Sequence, residues 1–144
     1  MIITLDTNVI LAALLSQNGA SHLILNLIID EKLKIALSTP VILEYDDVLK
    51  RKDILKKLNL SKDKIDDILD LLVLLADKHS IYYRLRPNLI DENDNLFVEC
   101  AFASKSHYLF TSNIKDFKGA ELITHPFKVI IPGDFYYHWR CEHE

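Results

Sequence analysis

Three short apolar runs, at residues 2–5, 34–38 and 108–111, limit most strongly what this chain can fold into. Each is too short for a stable helix and has the length of a buried strand. Between them, apolar residues recur every three or four positions, the period of helices packed on one side. Residues 8–15 read as a helix, Gly19 breaks the pattern, and residues 21–30 read as a second helix. Thr39-Pro40 reads as a helix start, with Thr as cap and Pro at the first helical position, for a helix running to about Arg51. Ser61 caps the strongest helical pattern, in which Ile65, Ile68, Leu69, Leu72, Leu75 and Ala76 share one stripe. Residues 91–105 read as another helix, with Phe97, Val98, Ala101 and Phe102 inward. Further strand candidates are residues 81–85, 121–124 and 129–131, and residues 133–139 read as a closing helical turn. Short strands alternating with helices predict an α/β fold with a mostly parallel sheet covered on both faces. Ligands of such sheets sit beyond the carboxyl ends of the strands, where the strand order switches direction.

With 144 residues, only three Gly and four Pro, and no repeat or linker, residues 1–144 are expected to form one domain. The net charge of −4 excludes a basic nucleic-acid coat, so any nucleic-acid contact must be local or bridged by metal ions. Two cysteines, Cys100 and Cys141, are too few for a disulfide framework and suit a reducing compartment. No apolar run reaches the roughly 18 residues of a membrane span. The opening Met1-Ile2-Ile3-Thr4-Leu5-Asp6 has neither a basic leader nor a cleavage site. The expectation is a cytoplasmic soluble protein with no membrane association.

Four carboxylates fall where such a sheet would place a site. Asp6 ends the first strand, where it could hold a divalent cation or simply cap the following helix. Glu44 shares a helical face with Val41 and Val48. A carboxylate there must be paired, metal-bound or protonated, unless its head reaches water from the edge of the stripe. Asp94 opens a helix one turn before its inward residues. Asp91 is the better cap, and three acids within residues 91–94 exceed what a cap needs. Asp116 follows the strand at 108–111, in a stretch that also reads as an ordinary polar loop. Clustered like charges raise one another's pKa unless a cation neutralises them. All-oxygen ligands suit Mg²⁺ or Mn²⁺, and such sites commonly perform metal-assisted phosphoryl chemistry.

These segments together resemble a PIN-domain nuclease over nearly the whole chain. The resemblance rests on Ile3-Thr4-Leu5-Asp6-Thr7-Asn8-Val9, on Ser38-Thr39-Pro40 followed by Glu44-Tyr45, and on Asp91 with Asp94-Asn95 before Ala101. It also rests on Leu109-Phe110-Thr111-Ser112-Asn113 with Asp116-Phe117. The chain looks most like the PIN subgroup assigned as toxins of toxin–antitoxin pairs. The resemblance implies a three-layer α/β/α domain with strand order 3-2-1-4-5, and metal-dependent hydrolysis of RNA that leaves 5′-phosphate and 3′-hydroxyl ends. It carries over Asp6, Glu44 and Asp94 as the acidic triad. The Thr-x-Asp position of the family is Asn113 here, and Asp116 stands in as the fourth acid. Asp6, Asp94 and Asp116 would hold Mg²⁺ or Mn²⁺, and Glu44 would bind or orient the attacking water. Asp91 would support the metals, and Thr7, Asn8, Thr111 and Asn113 would orient ligands or water. An antitoxin partner and a homodimer are also implied.

Other features compete for attention. Residues 50–64 hold Lys50, Arg51, Lys52, Lys56, Lys57, Lys62 and Lys64, which read as an RNA-gripping rim or as the solvated faces of two helices. His138, Cys141 and His143 lack a fourth zinc ligand. Leu71, Val73 and Leu74 lie off the main stripe of their helix, which fits either a contact surface or a fully buried helix. The alternatives to a nuclease are a catalytically silent PIN-fold binding module and a phosphatase forming an aspartyl-phosphate. The phosphatase is disfavoured because Asn8 stands where it would carry a second Asp.

Overall fold

The computed structural model describes residues 1–78, 95–117 and 127–143. Five parallel strands form one sheet: β1 (Ile2–Leu5), β2 (Lys34–Leu37), β3 (Asp77–Lys78), β4 (Tyr108–Phe110) and β5 (Lys128–Ile130), in the order β3-β2-β1-β4-β5. The register pairs Ile3 with Ile35 on one side and with Tyr108 on the other. Successive residues Ile3, Thr4 and Leu5 of β1, and Ile35, Ala36 and Leu37 of β2, are all buried. Neighbours in a strand point to opposite faces, so both faces of the sheet are covered and the architecture is α/β/α.

Seven helices accompany the sheet among the described residues: α1 (Thr7–Leu15), α2 (Ala20–Ile29), α3 (Thr39–Leu49), α4 (Lys52–Leu58), α5 (Lys62–Leu75), α6 (Asn95–Ser104) and α7 (Pro132–His143). Helix α6 lies across β1, β2 and β4, α5 packs on β2, and α2 packs between α1 and α7. Phe97, Val98 and Ala101 of α6 are buried as their spacing predicts.

The structure corrects several local expectations. The cap of α3 is Ser38, whose Oγ accepts the Val41 N–H at 3.4 Å, and Thr39 is already helical. Ser is as good a cap as Thr, and Pro40 tolerates either of the first two helical positions because both lack an intrahelical acceptor. The basic segment after α3 folds into α4, closed at Asn59 in the left-handed conformation. Ser61 does cap α5, accepting the Lys64 N–H at 3.3 Å. Ile65, Leu69 and Leu72 of its stripe are buried. Leu71 is 40% and Leu74 79% exposed, which excludes a fully buried helix. β5 matches the weaker strand expected at 129–131, and α7 extends the expected closing turn. The strands expected at 81–85 and 121–124 lie outside the described residues. No helix among the described residues is long and apolar enough to cross a membrane; α1 and α2 reach that length only together, bent by 100°.

Candidate active site

In the order β3-β2-β1-β4-β5, the first crossovers run from β1 towards β3 and the last towards β5, so the order reverses between β1 and β4. Asp6 follows β1 and Thr111 follows β4, at the carboxyl ends of these two strands. The sequence left Asp6 open as a helix cap or as a cation ligand. Asp6 occupies the N-cap position of α1, yet its side chain makes no capping bond. Its Oδ2 instead accepts the Thr111 hydroxyl at 2.8 Å, across the switch point. The backbone reinforces this, since the Asp6 N–H bonds the Phe110 carbonyl at 2.9 Å. Asp6 as a residue is 8% exposed, and its side chain is bonded by a partner 105 residues away in sequence.

The loop after β4 is bound to the same edge. The Asn113 N–H donates to Thr111 Oγ1 at 3.1 Å, and the Ser112 N–H donates to Asn8 Oδ1 at 3.2 Å. Thr111 therefore uses its hydroxyl both as donor and as acceptor, which fixes its orientation toward Asp6. Thr7 Oγ1 is buried without a hydrogen-bond partner among the described residues. The edge thus presents oxygen donors from Asp6, Thr7, Asn8 and Thr111, a set chemically suited to a hard divalent cation, with one buried oxygen still unsatisfied. The described residues contain no group of three or more His, Cys, Asp or Glu side chains able to hold a metal. Asp91 and Asp94 lie outside the described residues, with α6 starting at the next residue, Asn95. Asp116 falls in a 3-10 turn, Ile114–Phe117, after β4. A groove of 320 Å³ opens beside this edge, running from Ser112 past Ser16 and Gly19 to Pro132 and Gly133.

For Glu44 the sequence left open a place on the apolar face of its helix or at the edge of it. The buried stripe of α3 is Val41, Tyr45 and Leu49, and Glu44 is half-buried on its flank. Tyr45, which sequence reasoning passed over, is 1% exposed and donates its hydroxyl to the Leu5 carbonyl at 2.5 Å. Burial first, then the neighbouring Cys100 and Asp6, lifts its phenol well above the usual tyrosine range. The signal available in the sequence was a tyrosine at helical spacing from Val41, whose hydroxyl must find a partner if the ring is buried.

The basic rim is partly neutralised. Lys50 Nζ pairs with Asp46 and Asp66, and Arg51 pairs with Asp47 at 3.0 Å. These carboxylates hold the Lys50 ammonium above its ordinary range. Lys52, Lys56 and Lys57 are exposed. His138 and Cys141 are exposed on α7.

Comparison with known proteins agrees with this fold. A family model described as the PIN domain matches residues 3–115. Among solved structures, the chain is similar to one from the VapBC2 complex of Rickettsia felis bound to a DNA fragment from their promoter. The two are 23% identical, with a TM-score of 0.61, over 91% of this chain and 98% of that one. No curated protein matches.

Proposed function

The chain belongs to the PIN-domain family, and on that premise we propose that it is a divalent-metal-dependent ribonuclease serving as the toxin of a type II toxin–antitoxin pair. The observation that carries the proposal is Asp6: a buried carboxylate at the switch point, released from capping and oriented by Thr111. In the proposed site Asp6, Asp94 and Asp116 hold Mg²⁺ or Mn²⁺. Bound there, the ion would supply Lewis acidity toward water and the scissile phosphate. Glu44, on the flank of α3, orients the attacking water. Thr111 donates to the Asp6 carboxylate and orients it, and Asn8 holds the loop after β4 through the Ser112 N–H. Asp91 and Asn113 support the acids. Water attacks phosphorus, the 3′-oxygen leaves, and the products carry 5′-phosphate and 3′-hydroxyl ends.

The same reading extends to partners. The similar chain comes from a VapBC2 complex, which supports an antitoxin partner here. Exposed Leu71 and Leu74 support a protein contact, for which a second copy of the chain is the proposed occupant. Lys52, Lys56 and Lys57 are the proposed RNA contacts of the basic segment. Lys50 and Arg51 are weaker candidates because carboxylates already engage them.

The test is cleavage of a mixed-sequence RNA with Mn²⁺, with EDTA, and with the Asp6→Asn and Asp94→Asn proteins. The expected result is cutting that requires Mn²⁺ and disappears in both variants. Ends carrying 2′,3′-cyclic phosphate would overturn the hydrolytic mechanism. Absence of both cutting and Mn²⁺ binding would leave a PIN-fold binding module.

A further inference from the structure

Two of the four proposed acids, Asp6 and Glu44, sit on chain segments that meet at Tyr45, and the helix packed on its ring is the one that follows Asp94 in sequence. Its hydroxyl bonds the carbonyl of Leu5, the residue before Asp6. Glu44 precedes it on α3. Its ring stacks on Phe97, with centroids 6.1 Å apart and planes inclined by 28°, and Phe97 stands three residues after Asp94 in sequence.

The backbone explains why the hydroxyl is placed there. The registered β1–β2 pairs are Ile2 with Lys34 and Ile3 with Ile35. Alternate residues of a parallel strand turn their backbone groups to opposite neighbours. The Asp6 N–H bonds β4, so the carbonyl of Leu5 turns toward β2, two residues past the last registered pair. A buried carbonyl without a ladder partner needs another donor. Tyr45 supplies it through its hydroxyl.

We infer that Tyr45 is a positioning residue of the acidic site: it locks the peptide before Asp6, the helix of Glu44 and the helix that follows Asp94 into one arrangement. The inference rests on the nuclease reading of these acids. Tyr45 itself is buried and its hydroxyl is taken by the Leu5 carbonyl, so it acts through the carboxylates. A substitution that removes only the hydroxyl should therefore weaken cation binding beyond its effect on the fold. Groups that orient metal ligands typically contribute about 10–100-fold in affinity.

The experiment compares wild type, Tyr45→Phe and Asp6→Asn by Mn²⁺ calorimetry, and by melting with and without saturating Mn²⁺. Tyr45→Phe keeps the ring on Phe97. The expected result is a folded protein that binds Mn²⁺ about tenfold or more weakly. Its metal-induced rise in melting temperature should shrink accordingly, since that rise follows the ratio of ligand concentration to Kd. A lower melting temperature with unchanged Mn²⁺ affinity would assign Tyr45 to the fold alone and overturn the inference, leaving the nuclease reading intact. Loss of Mn²⁺ binding already in wild type would overturn both. Should Tyr45→Phe not fold, Phe97→Leu carries the test, because it keeps the hydroxyl and loosens the ring contact. Weaker Mn²⁺ binding supports the inference, and unchanged binding overturns it.

Discussion

Thr111→Val isolates the bond that distinguishes Asp6 from an ordinary helix cap. The substitution preserves shape at a fully buried position and removes one hydroxyl. Two hydrogen bonds are lost. The first is donation to the Asp6 carboxylate at 2.8 Å, and a hydrogen bond to a charged group contributes about 1.5–3 kcal/mol. The second is acceptance from the Asn113 N–H at 3.1 Å; Asn113 is exposed, so water replaces the acceptor and the cost stays below about 1 kcal/mol. The expected destabilisation is about 1.5–4 kcal/mol in urea unfolding. A domain of this size loses roughly 3–4 °C per kcal/mol, so the melting temperature should fall by about 5–16 °C. Thr111→Ser keeps both bonds and should lose only about 1 kcal/mol, for the missing methyl group. A double-mutant cycle with Asp6→Ala separates the bond from general effects of the site, with an expected coupling of about 1.5–3 kcal/mol. Coupling below about 0.5 kcal/mol would refute the argument that Thr111 holds Asp6 in place.

Further outcomes follow from particular residues. Burial, opposed by hydrogen bonds from Ser38 and Thr4, pushes the Cys100 thiol up to about 11 from its ordinary 9.0, while Cys141 is exposed. Iodoacetamide at pH 8 should therefore label one thiol in the native protein and two in urea. The stabilisation linked to Cys100 should be complete below pH 9 and fade as pH rises through about 11, because the unfolded chain releases that proton first. Tyr45 works in the same direction at higher pH, and stability rising across this window in urea titrations would contradict both. Ser38→Ala removes the cap of α3 and should cost about 1 kcal/mol in urea unfolding, with Thr39→Ala costing clearly less. Leu69→Ala on the buried stripe of α5 should cost about 2–5 kcal/mol, whereas Leu74→Glu, at a position 79% exposed, should change monomer stability by less than about 0.5 kcal/mol and lower the elution mass if this face joins two copies. Reversing Lys56 and Lys57 to Glu should weaken RNA binding and flatten its salt dependence; filter binding across a salt series that matches wild type would dismiss the basic rim.

Much of the fold was legible because burial on two faces leaves a mark in the residues themselves. Runs such as Ile35-Ala36-Leu37 are apolar without alternation, as a strand covered on both sides must be. The stripe of α5 and the inward face of α6 repeat with the period of a helix. Local capping was legible only to within a residue at α3, since Ser38 and Thr39 carry the same hydroxyl chemistry and only backbone direction chooses between them. The end of α3 near Arg51 was legible to within two residues, whereas the left-handed backbone of Asn59 that closes α4 shows only in three dimensions.

By itself, the sequence determined the class of fold, the residues of most strands and helices, and the presence of acids after strands, because each of these depends on neighbours within a few positions. The tertiary structure alone decided what the Asp6 side chain is bound to. Whether Asp6 caps α1 or turns toward β4 depends on Thr111, 105 residues away, and on a sheet order that brings β1 and β4 side by side. That Tyr45 joins β1, α3 and α6 depends on where the ladder between β1 and β2 ends and leaves the Leu5 carbonyl in need of a donor. Hydrogen bonds between distant segments leave no periodicity in a sequence, since each partner is an ordinary residue until the fold sets them within 3 Å of each other.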